Sequence, residues 1–127
     1  MNILKNLFYV VILSFGAVSS NTYAADDAAA IKVSLEQTVA KIEETLAAIA
    51  KNEDNNKIAE MIVEARQLQK GISTSDSKVS VKRSQSNHKL VRARNSIMDG
   101  DLKAGEASLK EALAGYKEVE EKFKAAH

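Results

Sequence analysis

Apolar residues recur every three or four positions through most of the chain, and short polar stretches separate these runs. The first run holds Ile31, Leu35, Val39, Ile42, Leu46 and Ile49 at steps of 4, 4, 3, 4 and 3. So narrow a stripe is the seam of a bundle helix, which the pattern predicts from about Asp27 to Ala50, with Asp26 or Asp27 as N-cap. The polar turn Lys51 to Asn56 ends it. A second helix is predicted from Asn56 to Lys70 on the stripe Ile58, Met61, Ile62, Ala65 and Leu68, with Gly71 as C-cap and Ile72 to Ser77 as a loop. The third has a stripe only in its second half, at Leu90, Val91, Ile97 and Met98, because Lys82 to Lys89 contains no apolar residue. Asp99-Gly100-Asp101 reads as a stop and restart, a left-handed glycine cap followed by a new N-cap. The fourth helix is predicted from Asp101 to Ala126, with Leu102, Gly105, Leu109, Ala112, Leu113, Tyr116, Val119 and Phe123 on its stripe.

The N-terminus follows a different pattern. One cation, Lys5, precedes the apolar run Leu7 to Phe15, and Thr22-Tyr23-Ala24 follows before Ala25-Asp26-Asp27. Charge, short apolar run and small residues three before and one before a cut are the pattern of a secretory signal peptide. The run is about half the ~20 apolar residues that a transmembrane helix needs. Residues 1–24 are therefore read as a cleaved signal peptide and residues 25–127 as one domain located in the periplasm.

Four amphipathic helices joined by short connections predict an all-α, up-down-up-down four-helix bundle. Helices 1 and 4 of about 24–26 residues span roughly 36–39 Å, against about 15 residues for helix 2. The start of helix 1, the end of helix 2, the start of helix 3 and the end of helix 4 share one pole. There Ile31 and Leu35 face Val119 and Phe123, and helix 3 is expected to supply mainly polar groups. This pole, residues 72–88, is the expected binding region.

Composition narrows the chemistry. The chain has no Cys and no Pro, which excludes disulfides, thiolate metal sites, thiol catalysis and covalent haem attachment. Lys5 is the only charged residue in the first 24, so the remaining Lys and Arg balance the 17 Asp and Glu, and net charge does not point to nucleic acid. There is no nucleophile elbow and no phosphate loop, and no carboxylate stands in an apolar context, so the chain does not read as an enzyme. Histidine occurs only at His88 and His127, neither with a second His one helical turn away. The one metal set on offer joins these two to Glu120 or the terminal carboxylate, for copper, nickel or zinc. Ser77 to Met98 holds Lys78, Lys82, Arg83, Lys89, Arg92 and Arg94 and no acid. With His88 these form a candidate face for an anionic partner or small ligand, Arg94 lying nearest the core stripe.

Two families of small periplasmic bundles resemble this arrangement. Leu46 to Lys51, Asp54-Asn55 through Arg66, and Asp99 to Lys103 opening a long last helix are similar to the two hairpins of the soluble periplasmic b-type cytochromes. That resemblance implies a four-helix bundle. The positions of that family's haem-ligating Met and His correspond to Val39 and Glu120 here, so haem electron transfer is disfavoured. The cadence of Asn87 to Leu113, with export and lack of Cys, resembles the small metal-binding proteins of nitrifying and methane-oxidising bacteria. This second resemblance implies divalent metal binding or buffering, with His88 and His127 as the remaining histidines.

The sequence thus predicts a non-enzymatic, exported bundle, a monomer or homodimer, that binds an unknown anionic partner through its basic pole. Expression in a Gram-negative host should give material beginning at Ala25. Mass spectrometry of the periplasmic protein checks this, and an intact Met1 would contradict it.

Overall fold

A computed structural model describes residues 28–74 and 76–126, with the side chains of residues 125 and 126 left out. The expected signal peptide, its cleavage site, the Asp26 or Asp27 cap and His127 lie outside the described residues. Four helices make up the rest: α1 (Ala28–Ala50), α2 (Asn55–Gln69), α3 (Ser77–Met98) and α4 (Leu102–Ala126). Each packs against its neighbours in sequence, and α4 closes back on α1. Cross-helix pairs fix the antiparallel register. Lys41 meets Glu64 between α1 and α2, Arg66 meets Asn87 between α2 and α3, and Lys82 and Lys89 meet Glu118 and Glu111 between α3 and α4. The protein is an all-α four-helix bundle, and among the described residues no helix is long and apolar enough to cross a membrane.

The caps explain the boundaries. Asp54 accepts from the Asn56 N–H, Asp76 from the Lys78 and Val79 N–H groups, and Asp101 from the Ala104 N–H, each satisfying donors that a helix start leaves free. Gly100 takes φ +87°, the left-handed turn that glycine adopts without a Cβ penalty. Gly71 differs from expectation. The cap residue of α2 is Lys70 in right-handed geometry, and Gly71 is small because Ser34 of α1 presses against it.

All four helices bury a seam with steps of 4 and 3. In α1 it is Ile31, Leu35, Thr38, Ile42, Thr45 and Ile49, a 3.5-residue repeat of coiled-coil type. Val39 and Leu46, expected at its centre, are half-buried on its flank. Two threonines hold seam positions because each hydroxyl donates to the carbonyl four residues back, Ser34 and Lys41, at 2.7 Å, which satisfies it locally. Helix α4 buries Gly105, Leu109, Ala112, Tyr116, Val119 and Phe123 at the same steps.

The seam of α2 runs Ile58, Ile62, Ala65, Gln69 and continues to Ile72 beyond the helix, while that of α3 includes Val79, Ser86, Leu90, Ala93 and Ile97. Ile72 and Val79 are enclosed, so the 72–88 segment adds apolar groups that seal the pole, where the sequence of helix 3 predicts mainly polar ones. Met98, expected on the α3 stripe, is 52% exposed, whereas Met61 is buried. Met98 lies one residue past the seam position of Ile97, which turns it outward.

Helix α3 has little apolar surface and lies very close to α4. A Cβ at Gly105 would stand 2.5 Å and 2.8 Å from two carbons of the buried Ile97 side chain, and one at Gly115 would collide with Ser86. In an isolated helix Gly→Ala stabilises by up to about 1 kcal/mol. Here Gly105→Ala should destabilise by about 1–3 kcal/mol, because the fully buried Ile97 side chain must shift within a close-packed seam. Leu109→Ala should cost about 2–5 kcal/mol, and Leu46→Ala distinctly less because it is only half-buried. Urea melts of the three variants check both the sign at Gly105 and the order of the leucines.

Candidate functional site

Two places gather polar chemistry. One is a polar layer inside the bundle. The 3.5-residue frame puts Gln69 of α2, Arg83 of α3 and Tyr116 of α4 at seam positions of a single level. Gln69 Oε1 accepts from Arg83 Nη1 at 3.1 Å and from the Tyr116 hydroxyl at 3.4 Å. Gln69 and Tyr116 are buried and Arg83 is half-buried, so the guanidinium is anchored through Nη1 at the α2–α3 seam while part of the residue stays open to solvent. One turn along this seam Arg66 Nε donates to Asn87 Oδ1 at 3.3 Å. Burial pushes the Tyr116 phenol well above its ordinary range, against the opposing charges of Arg83 and Arg66.

The second place is a shallow, open cleft of about 320 Å³ between α3 and α4 near the sealed pole, lined by Ser77, Lys78, Val81, Lys82, Gln85 and Lys122. Val81 is 56% exposed, an isolated apolar group among three ammoniums. Lys82 binds Glu118 at 2.9 Å. That hydrogen bond holds the Glu118 carboxyl below the usual range, and the charges of Lys82 and Lys122 act in the same direction.

The predicted site residues therefore divide. Lys78 and Lys82 come together in the cleft. Arg83 points instead into the α2–α3 seam, Lys89 is tied to Glu111 at 3.2 Å, and His88 and Arg92 are exposed farther along α3. Arg94 is half-buried with its Nε enclosed and lacking a partner. The proposed metal set is not assembled by the described residues. In the register set by the Lys82–Glu118 pair, Glu120 is level with Ser80, eight residues or about 12 Å along the axis from His88. Among the described residues no three His, Asp or Glu side chains converge as a metal set. Sequence reading missed Lys122, which belongs to α4, and the layer of Gln69, Arg83 and Tyr116. Only the 3.5-residue frame, extended through polar positions, would have marked that layer.

No known protein family, curated protein or solved structure matches this chain.

Tyr116 supplies a test of the layer. A phenol with a raised native pKa contributes stability that is present below the unfolded value of about 10 and is lost as pH climbs above it. Tyr116→Phe should cost about 0.5–1.5 kcal/mol at neutral pH through the lost hydrogen bond. The gap between variant and wild type should narrow above pH about 10. Denaturant melts of both proteins across alkaline pH measure it, and a constant gap would mean that the phenol is not shielded from solvent.

Proposed function

We propose that the protein is a non-enzymatic, exported four-helix-bundle binding protein that holds an acidic segment of a partner protein in the α3–α4 cleft. The observation that carries this reading is the gathering of Lys78, Lys82 and Lys122 around the exposed Val81, with Glu118 already bonded to Lys82. Lys78 and Lys122, which ion-pair with no described residue, flank an apolar group beside the Glu118-bound Lys82, and this suits a partner whose carboxylates flank an apolar side chain. Export rests on the signal-like first 24 residues. A divalent-metal role would rest on His88, Glu120 and His127, and the axial separation of the first two makes it the weaker reading.

The test uses a fluorescein-labelled helical peptide carrying glutamates one turn apart around a leucine, followed by anisotropy. Binding should weaken steeply with salt, since the Debye length falls from about 10 Å at 0.1 M to about 3 Å at 1 M. Lys78→Glu with Lys122→Glu should abolish it while leaving the melting temperature nearly unchanged, because both side chains are exposed. Undiminished binding by that double variant, or binding indifferent to salt, would overturn the assignment.

A further inference from the structure

The basic character of the chain extends beyond α3. Between Ala65 and Met98 there are eight Lys and Arg and one acid, Asp76, and Asp76 is occupied in capping α3. Glutamates of α4 neutralise Lys82 and Lys89. On the opposite side of α3, facing α2, no ion pair among the described residues supplies such compensation. Arg66 and Lys70 stand one turn apart at the end of α2. The Arg83–Gln69 and Arg66–Asn87 bonds place Arg83 level with Gln69 and Arg66 level with Asn87, so the two arginines lie about four residues, roughly 6 Å, apart along the seam. None of Arg66, Lys70 and Arg83 ion-pairs with a described residue. The nearest α2 acid in sequence, Glu64, is held by Lys41 of α1.

We propose that Arg66 and Arg83, with Lys70 at the rim, form a binding site for a small tetrahedral oxyanion, phosphate or sulfate, free or as the terminal group of a small molecule. Three features favour it. Both arginines are half-buried and each is oriented by a neutral amide oxygen, which fixes the fork without cancelling its charge. Each uses one N–H in that bond and keeps the others for a ligand. Like charges about one turn apart along the seam, with no ion-pair partner among the described residues, repel one another, and an anion between them relieves that repulsion. The recessed position in a helix–helix seam suits a compact ion better than a flat membrane surface, which would meet exposed side chains such as Lys78 and Arg92 first. This site is separate from the α3–α4 cleft, on the other side of α3.

The side-chain Nε–Hε resonances of Arg66 and Arg83 in the full chain report on it directly. Inorganic phosphate and sulfate should shift both saturably, whereas chloride at equal ionic strength should not. Arg66→Gln and Arg83→Gln should each weaken binding at least about tenfold, and Arg83→Lys should rescue only part of the loss because an ammonium lacks the planar fork. The Lys78→Glu, Lys122→Glu variant should bind phosphate normally, so this site and the cleft fail or stand separately. Phosphatidylglycerol vesicles should leave both resonances in place. Absence of a saturable shift with either oxyanion, equal shifts with chloride, a response to vesicles alone, or normal binding by the Arg66→Gln, Arg83→Gln protein would each overturn the proposal. The wild-type titration decides the matter even if a variant folds poorly.

Discussion

The close contact between α3 and α4 is the constraint from which the rest of the structure follows. Helix α3 has too few apolar residues to bury a broad face, and between Lys82 and Lys89 it has none. It is held instead by approach distance. Gly105 accommodates Ile97, Gly115 accommodates Ser86, and Leu90 and Ala93 fill the seam between them. Dispersion falls off steeply with separation, so two glycines let a polar helix gain contact energy that its own side chains could not supply. Lys82 and Lys89 reach across the same interface to Glu118 and Glu111. As partly exposed pairs these add little stability, but they define the register and neutralise Lys82 and Lys89.

The α2-facing side is the complement of that arrangement. A helix anchored through one edge does not need apolar residues along the other, and this edge carries Arg83, Asn87 and Arg94. Gln69 and Tyr116 extend the polar character into the core, where an amide oxygen shared between a guanidinium and a phenol satisfies what burial would otherwise leave unpaired. With no Cys in the chain, stability rests on the four interlocked seams, and the sealed pole of Ile31, Leu35, Ile72, Val79, Val119 and Phe123 keeps this polar layer from opening into a water-filled end.

Much of this architecture is legible in the residues. Periodicity locates four helices, and Asp54 and the Asp99-Gly100-Asp101 junction mark their limits, because caps act locally and leave a local signature. The seams are less legible. Reading apolar residues alone selects Val39 and Leu46 in α1 over the buried Thr38 and Thr45, since a threonine that bonds its own helix carries no hydrophobic signal. Val79 is isolated in a polar stretch, and Ile72 lies past the end of α2, so neither registers as core until the helices are assembled. The cationic run is visible, but its division is not. Which lysines meet α4 glutamates, and which arginines turn toward α2, depends on an interhelical register that one chain's spacing leaves open. Lys122 joins the cleft from about forty residues away in sequence.

Native-state hydrogen exchange tests most directly whether α3 is held by α4. If the glycine-mediated contact governs the bundle, the amides of Leu90, Ala93 and Ile97 should exchange only through global opening, with the same free energy as those of Leu109 and Ala112. A distinctly lower opening free energy across α3, with α4 still protected, would show that the polar helix is a separate, weakly attached unit and would contradict the account.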